Sequence, residues 1–511
     1  MKFVFVLFDS LNRRSLEPYG ARTIRTPNFR RLAERCVTFD SHYVGSLPCM
    51  PARRDMQTGR LNFLHRGWGP LEPFDNSFPE LLHEKGIYSH LVSDHYHYWE
   101  DGGFTYHNRY DTYEFIRGQE RDPWKAMVQP PWERLREKYH ATQFDSRRRS
   151  LYYHHILNRE SIREEGEFPS VRCFDAGLEF LDANRTAEDW LLQIETFDPH
   201  EPFFAPARFR DDYPTNYSGP ILDWPPYARV TEAPDECAEL RANYCAIVAL
   251  CDAQMGRLLD RFDELNLWRD TILLVTTDHG FLLGEHDWWA KLRMPCYDEV
   301  AHIPLFLHHP DFASRAGQRR GSLSQTIDLM PTILEMLGVA RPAEVEGRSL
   351  LPVLADDTPV RDAGLYGVWA SATNVTDGRY TYFRYPDDMA AQEIYQYTLM
   401  PTHITSFFTP EELATATLAA PFSFTKGAPV LKVSGNAKSP MYRGQGMRFF
   451  QDTETVLYDT LRDPEQRHPV DEPAVVARLT ERMLALMRAN DAPPEAYVRL
   501  GLAPSGSPKA A

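Results

Sequence analysis

The sequence predicts an α/β fold: a large mixed, mostly parallel sheet flanked by helices, followed by a smaller C-terminal α+β domain. Three observations predict it. Short runs such as FVFVLF and TILLVTT are apolar throughout, as strands covered on both faces must be. Between them lie segments whose apolar residues recur at helical spacing, so that strand and helix patterns alternate. From about residue 366 the texture changes to aromatic and polar residues around an Asp-Gly turn.

Taken in order, MKFVFVLFD reads as a buried strand, and TPNFRRLAERCVTF as a helix with Thr26 as cap and Pro27 in its first turn. GIYSHLVSD, ADWLLQIETFD and TILLVTTD supply further strands. LRANYCAIVALCDAQMGRLLDRFDELNLW holds helical spacing over about seven turns. Residues 117–165 are polar and aromatic with weak periodicity and read as an insertion bordering the site. The expected division is 1–365 and 366–511, the second part holding a hairpin around Asp377-Gly378, the terminal helix PAVVARLTERMLALMRAN and a Pro/Ala/Ser-rich tail. No internal repeat is present.

Composition excludes several function classes. With 511 residues, 43% hydrophobic and 25% charged, the chain has the balance of a soluble globular protein. The first apolar run is only about six residues long and is stopped by Asp9, too short for a signal-peptide core or a membrane span, so a cytoplasmic location is expected. Seven cysteines without Cys-x-x-Cys spacing argue against a disulfide framework and a zinc knuckle. A net charge of -16 disfavours nucleic acid and anionic membranes as partners, because both reward cationic surface. An anionic substrate would need positive charge supplied locally.

Two apolar strand runs end directly in Asp9 and Asp278, the latter followed by His279. Ligand sites in open α/β sheets form beyond the carboxyl ends of the strands, so these three side chains are candidate ligands of one divalent cation. Each Asp alone would equally well cap a turn. In SLPCMPARRDMQTGR, Cys49 stands two residues before Pro51 and four before Arg53; packing, metal ligation and a reactive precursor are all open to it on spacing alone.

The whole chain resembles the type I, formylglycine-dependent sulfatases of the alkaline phosphatase superfamily, with their phosphonate monoester hydrolase and phosphodiesterase relatives. The similarity is colinear from residue 3 to about 465: the strand ending in Asp9, TIRTPNFRRLA, the Cys-x-Pro-x-Arg element CMPAR with its trailing TGR, FDPHEPF, GRLLDRFDELNLWRDTILLVTTDHGFLLGEH, AKLRMPCYDEVAHIPL, TIDLMPTILEMLG, EGRSLLPVL and LYDTLRDPEQ. It implies an alkaline-phosphatase-like fold and a catalytic N-terminal domain. It implies that a formylglycine-generating maturation enzyme oxidises Cys49 to formylglycine (3-oxoalanine), whose hydrated aldehyde is the nucleophile. One divalent metal is implied, Ca²⁺ as the usual ion and Mn²⁺ as the alternative, held by Asp9, Asp278, His279 and the modified Cys49. By the same resemblance Arg53 orients the nucleophile, Lys291 contacts substrate oxygens and His200 serves the departing alkoxide.

Three departures from the family pattern surround the substrate. Ser10 stands where a second acid or amide is common. VSDHYHYWEDGG replaces Gly-Lys-x-His, so the Lys is lost and Asp94, His95 and His97 appear, the two histidines being candidates for substrate contact or for a structural role. AKLRMPCYDE carries extra residues between Lys291 and Tyr297. The implied reaction is hydrolysis of a small anionic ester, an aryl or alkyl sulfate, with a phosphonate monoester or phosphodiester as the alternative. A catalytically dead binding relative would have lost Cys49, Asp9 or His200. The Pro-rich tail raises the expectation of a homo-oligomer.

Overall fold

The structure is a computed structural model that describes residues 1–435 and 450–502; the tail expected from Ala492 onward, as loose chain or an arm onto another subunit, instead begins as helix Pro494–Arg499 with Ala496 and Leu500 buried in this chain's own core, and its residues 503–511 lie outside the described residues. An eight-stranded sheet forms the centre, in the order Arg319–Arg320, Val37–Phe39, Leu305–His308, Thr271–Thr277, Lys2–Phe8, Trp190–Thr196, Tyr88–Ser93, Thr112–Phe115. Leu305–His308 runs antiparallel to both neighbours, and the other pairings are parallel.

Helices cover both faces, which is why the three central strands are buried along their whole length. Val4, Val6, Phe8, Leu192, Ile194 and Val275 pack under helices Pro27–Arg35, Pro169–Ala183 and Pro234–Glu264. The alternate residues Phe3, Phe5, Leu7, Leu191 and Leu274 pack on Met50 and Met56 of helix Cys49–Thr58 and on helices Phe78–Glu84 and Leu329–Met336. In the register, Phe8 lies level with Thr196 on one side and Thr277 on the other. The three strands therefore end together, and Asp9, Phe197 and Asp278 emerge side by side.

Two elements differ from the expectation. The helix expected over TPNFRRLAERCVTF stops at Arg35, and Val37–Phe39 is a strand paired with Leu305–Leu307. The β-branched pair Val37-Thr38 favours extended backbone, and the free edge of Leu305–His308 offers it a ladder. The long helix starts earlier than its apolar periodicity, at Pro234, and runs 31 residues.

A second sheet of five strands joins Val456–Asp459, Tyr380–Arg384, Thr373–Thr376, Gly364–Val368 and Ser46–Leu47. The hairpin turns at Asp377-Gly378 as expected, with Gly378 at φ +89°. Helix Pro473–Ala489 packs on this sheet through Leu479, Met483 and Met487. Ser46–Leu47 pairs in parallel with Gly367–Val368, so the backbone entering Cys49 is anchored on the second sheet. Among the described residues no helix is long and apolar enough to cross a membrane.

Candidate active site

Cys49 opens a ten-residue helix whose every residue is buried. The helix ends on Gly59 at φ +66°, the left-handed C-cap that the trailing Thr-Gly-Arg supplies; a Cβ there would also strike Val345 at 2.7 Å. Asp55 ties the helix to the second sheet by accepting hydrogen bonds from Ser46 and Asn62. Four residues after Cys49, Arg53 falls on the same helix face. Its guanidinium donates to Glu195 (2.6 Å), to Asp278 (2.7 Å) and to the carbonyl of Cys49 (3.1 Å), and lies 3.0 Å from Asp9 Oδ2. Arg53 is 1% exposed and the three carboxylates not at all. One cation thus binds the ends of three neighbouring strands to the helix that carries Cys49.

Asp9, Cys49, Asp278 and His279 offer four donor atoms that all lie within 4.8 Å of one another. His279 Nδ1 donates to the carbonyl of Gly280 (3.0 Å), which leaves Nε2 as the electron-pair donor, 3.3 Å from Cys49 Sγ. Burial would raise the Asp9 carboxyl, but Arg53 and Lys291 hold it well below the usual range; burial and the nearby Asp9 push Asp278 up to about 7. Burial lowers His279 to about 3, so its imidazole is neutral, as a ligand must be. Asp9 Oδ2 is approached by Arg53 (3.0 Å) and by His95 Nε2 (3.4 Å), and His95 Nδ1 has no hydrogen-bond partner among the described residues. Excess negative charge and a pre-oriented imidazole around one point are what a divalent cation would satisfy. Burial and Asp9 push the Cys49 thiol well above its ordinary value, so the encoded side chain is a neutral thiol.

Lys291 enters from the opposite wall. Its Nζ donates to Ser10 Oγ (2.8 Å) and lies 3.7 Å from Cys49 Sγ and 3.8 Å from Asp9 Oδ1. Burial opposes its charge, and the surrounding acidic groups Cys49, Asp9 and Glu201 outweigh burial and raise it. Its neighbours Ala290 and Leu292 sit at φ +73° and +82°, strain that only a fixed surrounding can hold. Trp288 and Trp289 provide that surrounding: both are buried, with indole N–H groups on Asp452 and Glu232. Ser10, which stands where the family commonly has a second acid or amide, passes a hydrogen bond from Lys291 on to Asp9 Oδ1 (2.8 Å).

His200 donates from Nδ1 to the carbonyl of Glu201 (2.6 Å), and burial, then Lys291, lowers it well below its usual value. A neutral ring with Nε2 as acceptor results. The two histidines of VSDHYHYWEDGG separate. His95 Nε2 reaches within 3.4 Å of Asp9 Oδ2, whereas His97 Nδ1 is held by Glu100 and its ring packs edge-on to Trp68. Asp94 accepts from the backbone of Phe197 (2.6 Å) and from Gln119 (3.0 Å), and so braces the loop of His200. Gln119 also reaches Asp198, so the start of the 117–165 insertion does border the site.

Sequence reading missed Glu195, which is buried and held between Arg53 and the hydroxyl of Tyr98 (2.8 Å). Gln193 and Glu195 on one face of an otherwise apolar strand were the available signal. It also missed Glu201, whose carboxyl burial raises to about 8 and whose Oε1 accepts from Tyr227 (2.7 Å).

A parallel sheet with acidic residues and a His at its carboxyl edge, facing a helix N-terminus, puts these groups where open α/β sheets bind their ligands. The chain belongs to the sulfatase family: that family's sequence profile matches residues 2–339, and the profile for N-sulphoglucosamine sulphohydrolase, C-terminal, matches 284–419. It is similar to the N-acetylglucosamine-6-O-sulfatase of Bacteroides thetaiotaomicron, 24% identical over 446 residues, covering 77% of this chain and 76% of that one. It is also similar to the multifunctional alkaline phosphatase superfamily protein PehA of Trinickia caryophylli, 27% identical over 391 residues, covering 66% and 72%. In fold it matches the phosphonate monoester hydrolase of Agrobacterium radiobacter with a TM-score of 0.63 over 96% of each chain, at 17% identity. The expected fold class is therefore the observed one.

Proposed function

We propose that the protein hydrolyses a sulfate monoester, aryl or alkyl, at position 49 beside one divalent cation. One observation carries this reading: Cys49, at the N-terminus of a buried helix, stands among Asp9, Asp278 and His279 with Lys291 3.7 Å away. Sγ occupies the place of the oxygen that oxidation to formylglycine would create; that oxygen would supply the nucleophile and the cation, Ca²⁺ or Mn²⁺, would acidify it. Asp9, Asp278 and His279 would hold the cation. Arg53 fixes the backbone of residue 49 and the two Asp side chains. Lys291 stabilises charge on the sulfate oxygens, and His200, with Nδ1–H held by the carbonyl of Glu201, would serve the leaving oxygen through Nε2 once that nitrogen has taken up a proton from solvent. CMPAR is buried in the folded chain, so a maturation enzyme would act before this helix docks. Seven free thiols support a reducing compartment.

Three buried carboxylates, Asp9, Glu195 and Asp278, face the two cations Arg53 and Lys291. A divalent ion turns that deficit into one net positive charge, which matches a monoanionic ester better than a dianionic phosphate monoester. A phosphonate monoester or a phosphodiester carries the same charge, and this supports hydrolysis of those esters as the second reading. Assay of the purified protein on aryl sulfate, aryl phosphonate monoester and phosphodiester decides: the sulfate rate is expected to be highest, and a diester or phosphonate rate well above it would favour the second reading.

Lys291→Ala is expected to lower kcat/KM by about 10²- to 10³-fold, as for loss of one preorganised donor to a developing anion. His95→Ala, which empties a position beside Asp9, is expected to reduce turnover more than His97→Ala; equal effects would contradict the separation of the two rings. Treatment with a chelator is expected to abolish activity, and added Ca²⁺ or Mn²⁺ to restore it.

A further inference from the structure

Glu201 directly follows His200 in the chain and meets its imidazole twice. The backbone carbonyl of Glu201 accepts the Nδ1–H at 2.6 Å, and the carboxyl Oε2 stands 3.3 Å from the same nitrogen. Both residues are buried. The other carboxyl oxygen, Oε1, accepts from the hydroxyl of Tyr227 (2.7 Å), and the carbonyl of Tyr227 accepts in turn from Arg293 (3.0 Å), two residues beyond Lys291. Phe197 packs on the imidazole, with ring centroids 4.2 Å apart. The ring is thus held from its Nδ1 side, with Nε2 left for the ester.

The carbonyl alone suffices to set the tautomer, so the carboxyl group needs another account. A neutral imidazole protonated on Nδ1 can accept a proton at Nε2 but has none there to give, whereas a poor leaving oxygen needs one. Charging the ring in place is opposed by burial and then by Lys291, and favoured by Asp9, with His279 the remaining charged neighbour. Asp9 would be engaged with the cation, and an unbalanced buried charge is costly. Glu201 is the acid whose carboxyl touches the ring. Tyr227, Tyr152, Lys291 and Glu120 surround that carboxyl; burial raises it most, to about 8, Glu120 adds to the rise, and Lys291 and Tyr227 oppose it.

We propose that Glu201 is a positioning residue for acid catalysis at the leaving oxygen: its carboxylate balances the imidazolium form of His200, so that Nε2 delivers a proton to the departing alcohol. This rests on the sulfate ester reading above. The resting and reactive forms carry the same charge. In the first, the Glu201 carboxyl holds the proton and the ring is neutral; in the second, the carboxyl O–H has ionised and Nε2 has taken up a proton through water. When the O–S bond breaks, the alcohol oxygen keeps the electron pair and takes the Nε2 proton. Neutral imidazole then stands beside a carboxylate, and a proton from water restores Glu201.

The test measures kcat/KM, which includes the step that expels the alcohol, for the modified, metal-loaded protein on para-nitrophenyl, phenyl and methyl sulfate, in order of worsening leaving group. Glu201→Gln keeps the backbone carbonyl on Nδ1 and removes only the charge. It is expected to lower kcat/KM about 10- to 100-fold on methyl sulfate, less on phenyl sulfate and within about 3-fold of wild type on para-nitrophenyl sulfate, whose alcohol leaves without a proton. Added to His200→Ala, it is expected to cost nothing further. Should Glu201→Gln melt well below the wild type, Tyr227→Phe, which removes only the hydroxyl on Oε1, is expected to show the same graded pattern at smaller size. An equal loss on all three esters, no loss on any, or a further loss in the double variant would overturn the proposal. If the wild type cleaves none of the sulfates, the sulfate reading itself fails, a result that appears before any substitution is made.

Discussion

Cys49→Ala is expected to lower turnover by at least about 10⁴-fold while leaving the fold intact, the scale on which removal of a covalent nucleophile acts. The change deletes one sulfur from a buried site and breaks none of the anchors of the helix: Asp55 still accepts from Ser46 and Asn62, and Arg53 still donates to the carbonyl of residue 49. Melting is therefore expected to shift little, which separates loss of chemistry from loss of structure. Mass analysis of the peptide spanning residue 49 supplies the second measurement. The active wild type should show the CH₂SH group replaced by CHO, and full activity in a preparation with an unmodified thiol would refute the mechanism. Cys49→Ser places a hydroxyl at the same point but has no aldehyde to hydrate, and it is expected to be nearly as inactive as the alanine variant.

Arg53→Ala is expected to cost both activity and stability, the latter by about 3–5 kcal/mol, the range for removing one partner of a buried ion pair. The size of the effect follows from the number of groups left behind. Asp9, Glu195 and Asp278 are fully buried, and each touches this guanidinium. Without it, carboxylates already close enough for Asp9 to help push Asp278 up to about 7 would repel one another unscreened. Arg53→Lys is expected to recover only part of the loss, because an ammonium is a point charge and cannot present the planar fork that spans three strand ends. Thermal unfolding with and without added Ca²⁺ checks this: the ion is expected to stabilise the wild type more than either variant, and an Arg53→Ala protein as stable as the wild type would contradict it.

Much of the fold was legible because its signals are local. An apolar run cut off by an aspartate marks both a central strand and its carboxyl end, and this located Asp9 and Asp278 without further information. Cys49 and Arg53 were located through the resemblance of CMPAR to the family's Cys-x-Pro-x-Arg element, and the structure puts both on one face of a helix. Val37–Phe39 was misread because the helical stripe before it continued smoothly into apolar residues, and only the partner strand Leu305–His308 made extended backbone the better choice.

The site residues outside these motifs were not legible, because they are defined by partners far away in the chain. Glu195 matters through Arg53, at 142 residues' separation, and Ser10 through Lys291, at 281. The sequence offered His95 and His97 as equals; in the fold His97 Nδ1 is held by Glu100, three residues on, while His95 meets Asp9.

By itself, then, the sequence determined the fold class and the strand-end aspartates, which depend on periodicity and short-range spacing, and singled out Cys49 through its resemblance to the sulfatase Cys-x-Pro-x-Arg element. Only the tertiary structure decided which carboxylates share Arg53 and which of the two histidines lies beside Asp9. Each of those depends on strand order and on the parallel pairing of Ser46–Leu47 with Gly367–Val368 across more than 300 residues, which no local pattern encodes.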